Sequence, residues 1–150
     1  MKFIPRLGLA LAVTVVAAAP AFAALGGDTA SVLADRDQTK GTLQISSATG
    51  YSVHEITTSL GIKVREYLTP DGKVFGLGWR GPLPLDLRQF LGAYYPQFEK
   101  AASAPHLGHR QVNVELPELV VYSGGRMRAF AGRAWAPDLI PQNVSTDDIK

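Results

Sequence analysis

Two histidines stand three residues apart, and this spacing is the most direct candidate for metal chemistry in the sequence. His106 and His109 form an H-x-x-H pair in a stretch that also contains Pro, Ala and Gly. On a helical turn, two imidazoles at this spacing can bind one metal ion, with Glu115 or Glu118 as conceivable further ligands. Structural zinc normally needs four defined ligands, so an exposed loop pair is the competing interpretation. We therefore expect no cofactor and no metal site, with His106 and His109 as the weak alternative.

Several arginines accompany aromatic residues on strand-like segments. They are Arg80, Arg126, Arg128 and Arg133, near Trp79, Phe130 and Trp135. On one sheet, guanidinium and aromatic groups would form a surface suited to a carboxylate, a sugar acid or a protein partner. The competing interpretation is a solvated strand face on which arginine stems cover apolar area. The candidate binding residues are Trp79, Arg80, Gly81, Pro82, Arg126, Arg128 and Arg133.

Motifs for covalent catalysis or phosphate binding are not recognisable. The chain has no cysteine and no G-x-S-x-G elbow, and the run GLGWRG lacks the Lys-Ser/Thr that follows a phosphate-binding loop. His54 and Glu55 are neighbours in a strand-like segment and should point to opposite faces, which predicts a buried or edge histidine and no catalytic pair. We therefore expect a non-enzymatic protein. A small periplasmic hydrolase that uses His106 or His109 with a metal or a carboxylate is the alternative.

The strand that carries Arg80 has one bulky face and one bare face. A period of two over residues 73–80 places Phe75, Leu77 and Trp79 together, with Gly76 and Gly78 on the other face. Glycine costs stability in a strand. The bare face therefore predicts that another backbone, a helix or a ligand approaches closely there.

A corner and a helix follow this strand. Gly81, Pro82 and Pro84 stop the strand, and the apolar spacing then becomes helical. The apolar stripe comprises Leu83, Leu87, Phe90, Leu91, Tyr94 and Phe98. It predicts one main helix over about residues 84–99, with Asp86 as a possible N-cap.

The other segments indicate strands and tight turns. Asp28 is a suitable N-cap for a short helix that stops at Gly41. Alternation predicts strands in the segments TLQIS, YSVHEITT, GIKVREYL, QVNVEL, ELVVYS and RMRAFAGRAW. A turn is expected at residues 69–72, and Gly124-Gly125 predicts a two-residue hairpin turn. The expected fold is α+β: a mainly antiparallel sheet of about six strands, with the main helix on one face and the short N-terminal helix.

The first residues have the pattern of a secretory signal. Lys2 and Arg6 precede an apolar run over residues 7–19, and Ala21-Phe22-Ala23 fits a signal-peptidase site. This pattern predicts a cleaved signal peptide, 1–23, and a single globular domain, 24–150, that is secreted to the periplasm or the medium. The run is shorter than the roughly 20 residues that span a bilayer, and no later segment is longer, so we expect no stable membrane span after cleavage.

The charge balance argues against a nucleic-acid partner. Two of the 15 Lys and Arg residues fall in the predicted signal, so 13 remain against 13 Asp and Glu residues. A nucleic-acid interface needs a concentrated basic surface, which a formally neutral domain does not indicate.

Four ordered runs together resemble a known family. They are ALGG (24–27), VREYLTPDGKVFGLGWRGP (64–82), DLRQFLG (86–92) and GGRMRAFAGRAWAP (124–137). The chain is similar over its mature length to an uncharacterised family of exported bacterial proteins, a domain of unknown function, with Gly-Trp-Arg-Gly-Pro and Phe-Ala-Gly-Arg-Ala as specific runs. Where the family has Pro-Asp-Leu-Arg, this chain has Pro84-Leu85-Asp86-Leu87-Arg88. The resemblance implies export and a single domain, and it implies no activity.

These observations predict an exported binding or accessory module of the cell envelope. Its partner would be an envelope protein or an anionic ligand, bound at the corner that contains Arg80. A purely structural or assembly role in the envelope stays open, since it differs mainly in whether binding is permanent.

Overall fold

A seven-stranded antiparallel sheet runs through the computed structural model, which describes residues 25–104 and 111–150. The strands are β1 (Thr42–Ala48), β2 (Tyr51–Thr57), β3 (Lys63–Leu68), β4 (Val74–Gly81), β5 (Gln111–Leu116), β6 (Leu119–Arg126) and β7 (Ala129–Trp135). Their order across the sheet is β1-β2-β3-β4-β7-β6-β5. The N-terminal four strands thus form one meander, the C-terminal three form another, and β4 pairs with β7 to join them. The α+β class and the antiparallel sheet are confirmed.

The sheet has seven strands and not about six, because the strand over residues 73–80 and the six segments with alternating residues each form a strand of the same sheet. Leu116 pairs with Leu119, so Pro117 and Glu118 alone connect β5 to β6. Proline has no N–H to donate, which a two-residue turn tolerates and a central strand does not.

The expected helix over residues 84–99 is divided into two. α2 (Leu87–Leu91) is capped by Asp86, whose side chain accepts from the N–H of Arg88, and α3 (Tyr95–Ala102) follows after one 3-10 turn. Gly92 lies between them with a φ of 48° and a ψ of −117°, a conformation that ends an α-helix. The prediction of a single helix was therefore wrong. The apolar stripe still packs on the sheet, with Phe90, Leu91 and Phe98 buried.

The N-terminal helix and the first predicted turn are confirmed. α1 (Thr29–Gln38) begins after Asp28, whose carboxylate accepts from the N–H of Ser31 at 2.9 Å. At residues 69–72 the N–H of Gly72 donates to the carbonyl of Thr69 at 2.9 Å, and Gly72 has a φ of 84°.

The hairpin between β6 and β7 turns two residues later than the glycine pair. Arg126 pairs with Ala129, so Met127 and Arg128 form the turn, and Gly124-Gly125 lies within β6. A Cβ at Gly125 would lie 2.9 Å from Cγ of Phe130, its cross-strand partner. The prediction of a turn at Gly124-Gly125 was wrong, because Gly125 makes room for an aromatic ring.

A β-bulge changes the faces of β4. Tyr67 pairs with Gly76 but Leu68 pairs with Val74, which leaves Phe75 as the extra residue. Phe75 therefore packs beside Tyr67 and not with Leu77 and Trp79. The expectation that Phe75 shares a face with those two residues was wrong.

Both faces of the sheet carry a buried core. The larger core lies under the helices and includes Val32, Leu77 and Phe90, whereas the smaller one is closed by Ile149 and the segment that follows β7. That segment contains two 3-10 turns, Pro137–Leu139 and Thr146–Asp148, and the second is capped by Ser145. None of the helices that the structure describes has the length and apolar character needed to cross a membrane.

The close approach expected at the bare face of β4 comes from the chain itself. A Cβ at Gly76 would lie 2.8 Å from Cδ1 of Ile149, and one at Gly78 would clash with the backbone of Lys150. These two glycines therefore let the C-terminal residues lie against the sheet.

Candidate functional site

A groove of about 1130 Å³ lies on the sheet face that the C-terminal segment covers only in part. It crosses β4, β7, β6 and β5. Its lining includes Arg80, Gln111, Asn113, Tyr122, Arg126, Ala131, Arg133 and Lys150. The positions of these residues follow from the strand register, because directly paired residues lie on the same face of a sheet.

Two rows of paired residues build the groove. One row runs from Gly78 through Arg133 and Tyr122 to Asn113. The neighbouring row contains one residue from each of the same strands, in the order Arg80, Ala131, Gly124 and Gln111. Small residues in the middle of the second row form a flat floor, while a guanidinium and an amide stand at its two ends.

The cations of the groove are not neutralised by neighbouring carboxylates. Arg80 and Arg126 are exposed, and neither makes an ion pair among the described residues. No Asp or Glu is among the described residues that line the groove. By contrast, Lys63 and Arg65 on β3 both pair with Glu55, at 3.4 and 2.7 Å. The groove therefore presents net positive charge to a ligand.

Arg133 is fixed in place before any ligand binds. Its guanidinium carbon lies 5.5 Å from the ring centre of Tyr122 and 5.3 Å from that of Trp135. Its Nη1 also donates to the carbonyl of Thr146 at 3.3 Å. A cation that contacts two neighbouring aromatic rings keeps most of its donors in a defined direction.

Tyr122 joins the cationic side of the groove to its polar side. Its hydroxyl donates to Oε1 of Glu115 at 2.5 Å, which raises the pKa of Tyr122. The phenol therefore stays protonated at neutral pH and can serve as a hydrogen-bonding group. Gln111 and Asn113 are exposed on β5 beside it and supply neutral amides.

A second, smaller depression lies beside the groove and shares Arg80 with it. Lys63, Arg128 and Phe130 also line this depression. Arg80 thus stands between the two depressions, and both contain cations.

The structure brings together the four arginines that the sequence singled out, and Trp79 also lines the groove, but Pro82 lies outside both depressions. Arg80, Arg126 and Arg133 line the groove and Arg128 lines the adjacent depression. The remaining candidate binding residues are Trp79, Gly81 and Pro82. Trp79 is 4% exposed, with its ring over Gly132 on the helix-covered face. Gly81 packs against Ile62 and also lines the smaller depression, whereas Pro82 is exposed and lines neither depression.

Sequence reasoning missed several residues of these depressions, including Lys63, Gln111, Asn113, Tyr122 and Lys150. Alternation in the segment QVNVEL places Gln111 and Asn113 on its solvated face, but it does not indicate which strand pairs with it. The order β4-β7-β6-β5 supplies that information.

A separate group of titratable residues is buried under α1. His54 and Glu66 are cross-strand partners, and both are buried together with Asp35 of α1. Asp35 accepts from Nε2 of Gln89 at 2.8 Å, whereas neither carboxylate oxygen of Glu66 has a hydrogen-bond partner within the described part of the chain. Burial and the nearby Asp35 raise the pKa of Glu66 well above its usual value, and burial lowers the pKa of His54. With no exposed surface, Glu66 cannot contact a ligand.

His54 and Glu55 point to opposite faces, as the sequence predicted. Glu55 pairs with Arg65 across the solvated face while His54 is buried. His106 and His109 lie outside the described residues. Within residues 25–104 and 111–150, no three His, Asp or Glu side chains are grouped so that they could hold a metal ion.

The fold and the groove define a class of protein: an α+β chain with one antiparallel sheet and a cationic groove on one of its faces. Residues 21–149 match the family described as "Protein of unknown function (DUF2844)", and the chain belongs to this family. Comparisons with curated proteins and with solved structures find no match. The resemblance to an uncharacterised domain family is therefore confirmed.

Proposed function

We propose that this protein is an exported, non-enzymatic binding or accessory module of the cell envelope, and that it holds an anionic ligand in the groove across β4, β7, β6 and β5. One observation carries this proposal: unpaired guanidinium groups from three strands converge on a single groove with no Asp or Glu in its described lining. Unpaired cations in a concave site attract anions, and guanidinium binds carboxylate or phosphate through two hydrogen bonds.

The chemistry of the groove supports binding and gives no support to turnover. Arginine stays protonated at every accessible pH, and amide groups do not titrate. Tyr122 has a raised pKa, so it is a poor base near neutral pH. General acid–base catalysis needs a group whose pKa lies near the working pH, and the described lining contains no His, Asp or Glu.

Export is supported by the basic, apolar and small-residue pattern over residues 1–23. N-terminal sequencing of the protein from periplasm and medium tests this part. A mature form that begins at Ala24 is expected. Protein that is found in the cytosol with its first 23 residues intact would refute export.

Binding to a carboxymethyl-dextran surface, followed by plasmon resonance, tests the groove. The double variant Arg80→Gln/Arg126→Gln removes two groove cations. Arg88→Gln/Lys100→Gln removes the same charge from exposed positions on α2 and α3, the helices on the opposite face. The groove variant should bind at least about tenfold more weakly than the wild type, since a charged hydrogen bond contributes about 1.5–3 kcal/mol.

The matched variant should bind like the wild type at physiological ionic strength, where exposed charges more than about 8 Å away are screened. Circular dichroism and thermal unfolding confirm that both variants keep the fold. Equal weakening of the two variants would show that net charge alone drives binding, and it would refute a specific groove.

A further inference from the structure

The groove has two chemically different sides. Guanidinium groups stand on β4 and β7, where Arg80 and Arg133 lie in adjacent rows, and Arg126 at the end of β6 adds a third. Neutral amides stand on β5, where Gln111 and Asn113 end the same two rows. A ligand that fills the groove therefore meets guanidinium groups on β4, β7 and the end of β6, and carboxamide groups on β5.

This division selects among anions. A guanidinium fork matches a carboxylate, and an amide can donate to and accept from a hydroxyl group at the same time. A bare polyanion would use only the first side and would leave exposed amides without a role. A ligand that carries both carboxylates and many hydroxyl groups uses both.

We infer that the groove binds an acidic oligosaccharide of the uronic acid class, with sugar carboxylates on Arg80 and Arg133 and sugar hydroxyls on Gln111 and Asn113. This inference rests on the proposed function, because it names the ligand of the same groove. Tyr122 stands between the two sides and offers both a ring and a hydroxyl group, the combination that suits a surface with apolar and polar parts.

The size and shape of the floor favour several sugar units. Three strand spacings separate Arg80 from Gln111, a distance of about 14 Å, which exceeds one sugar ring. The floor between them is Ala131 and Gly124, which pair directly and carry almost no side chain. An extended chain can therefore lie flat across the strands.

The fixed position of Arg133 also suits a sugar ligand. Its guanidinium contacts two neighbouring rings and donates to the carbonyl of Thr146, so little side-chain entropy is lost on binding. Lys150, also exposed in the lining, is a compact point charge that adds attraction without a defined direction.

Three probes of matched length separate carboxylate recognition from sugar recognition. They are tetragalacturonate, its fully methyl-esterified form, and tetraglutamate. The ester keeps the sugar skeleton without charge, and the peptide keeps the carboxylates without ring hydroxyls. Calorimetry with the purified protein should show tetragalacturonate binding at least about tenfold more tightly than the ester, which loses the charged hydrogen bonds. It should bind about three- to tenfold more tightly than tetraglutamate, which loses only the neutral hydrogen bonds to the amides.

Variants then show which residues of the groove bind the sugar hydroxyls and which bind the carboxylates. Gln111→Ala/Asn113→Ala should weaken tetragalacturonate binding by about three- to tenfold, the value of one or two neutral hydrogen bonds, and leave tetraglutamate binding unchanged. Arg80→Gln should weaken both. Ala131→Leu fills the floor at an exposed position and should abolish tetragalacturonate binding while the melting temperature stays the same.

The outcomes distinguish this inference from the function on which it rests. Equal affinity for tetragalacturonate and tetraglutamate, unaffected by the amide variant, would overturn the sugar assignment and keep an anion-binding groove. A single-stranded oligonucleotide that binds more tightly than tetragalacturonate would overturn the sugar assignment in favour of nucleic acid. No binding of any anionic probe would overturn both proposals.

Discussion

Replacement of Glu66 with glutamine should stabilise the protein at neutral and alkaline pH. The side chain is fully buried, and its oxygens have no hydrogen-bond partner among the described residues. Burial, with a smaller effect of Asp35, raises the pKa of Glu66 well above its usual value. Glu66 therefore keeps its proton to a higher pH in the native state than in the unfolded chain, and glutamine resembles that neutral form without being able to ionise.

The sign and the slope follow from proton linkage. A glutamate in the unfolded chain titrates near pH 4.3, so above that pH the unfolded state has lost a proton that the native state keeps. The free energy of unfolding then falls by about 1.4 kcal/mol for each pH unit until the native pKa is reached. Glu66→Gln lacks this fall. The free energy of unfolding of Glu66→Gln should equal that of the wild type near pH 4. As the pH rises, it should exceed the wild-type value by a difference that grows with the slope given above.

Titration of His54 changes the stability of the wild type and of Glu66→Gln alike, so it cancels from the difference between them. Burial lowers its native pKa, so the unfolded state binds a proton below about pH 6.5 before the native state does. Stability is therefore lost as the pH falls from that value through the native pKa of His54.

Glu55→Gln is the matched control. Glu55 is next to His54 in β2 but lies on the opposite face, and its pKa is shifted in the opposite direction to that of Glu66. Nε of Arg65 donates to its carboxylate at 2.7 Å, which holds the pKa of Glu55 below its usual value. The wild-type Glu55 contributes stability above the unfolded pKa and loses it as the pH falls through the native one. Glu55→Gln should therefore be less stable than the wild type at pH 7 and equal to it in acid.

Urea unfolding at pH values from 4 to 9, followed by tryptophan fluorescence, measures these differences. Constant m-values would show that the denatured state is comparable in each protein. A Glu66→Gln variant that is less stable than the wild type at pH 8, or a difference that does not depend on pH, would refute the reasoning. It would mean that Glu66 is ionised in the native state and paired with protonated His54.

The remaining predictions concern the elements that position the groove. Ile149→Ala should lower the free energy of unfolding by about 2–4 kcal/mol in urea denaturation, as buried isoleucines do, whereas Ile45→Ala at a 61% exposed position should change it little; equal effects would refute closure of the smaller core by Ile149. Gly78→Ala should displace the backbone of Lys150 and cost about 1–3 kcal/mol, with faster amide exchange at Lys150; unchanged exchange would contradict the contact. Asp28→Ala removes the N-cap of α1 and should cost about 1 kcal/mol, measured by thermal unfolding, and an unchanged melting temperature would argue against the cap.

Local patterns were sufficient for most elements of this fold. Asp28 capped a helix, residues 69–72 formed a turn, and the strand-like alternation in each segment produced a strand. Such features depend on neighbours within a few residues. The alternation of Val64, Glu66 and Leu68 even indicates one shared face, which is the signal that could have predicted a buried glutamate.

Other features depended on contacts that local patterns do not contain. Gly125 makes room for the ring of Phe130 and does not form a turn. Gly92 divides a helix although the apolar stripe continues past it, and a β-bulge moves Phe75 to the other face of the sheet. In each case a packing partner or a register shift outweighed the local pattern.

The sequence by itself determined the antiparallel α+β architecture and singled out the arginines, because hydrophobic period and turn chemistry are local properties. Only the tertiary structure decided that Arg80, Arg133 and Asn113 border one groove. They come from strands far apart in the chain, and their rows meet because β4 pairs with β7 and β6 lies between β7 and β5. Pairing between distant strands is set by the packing of both cores at once, and no single segment carries that information.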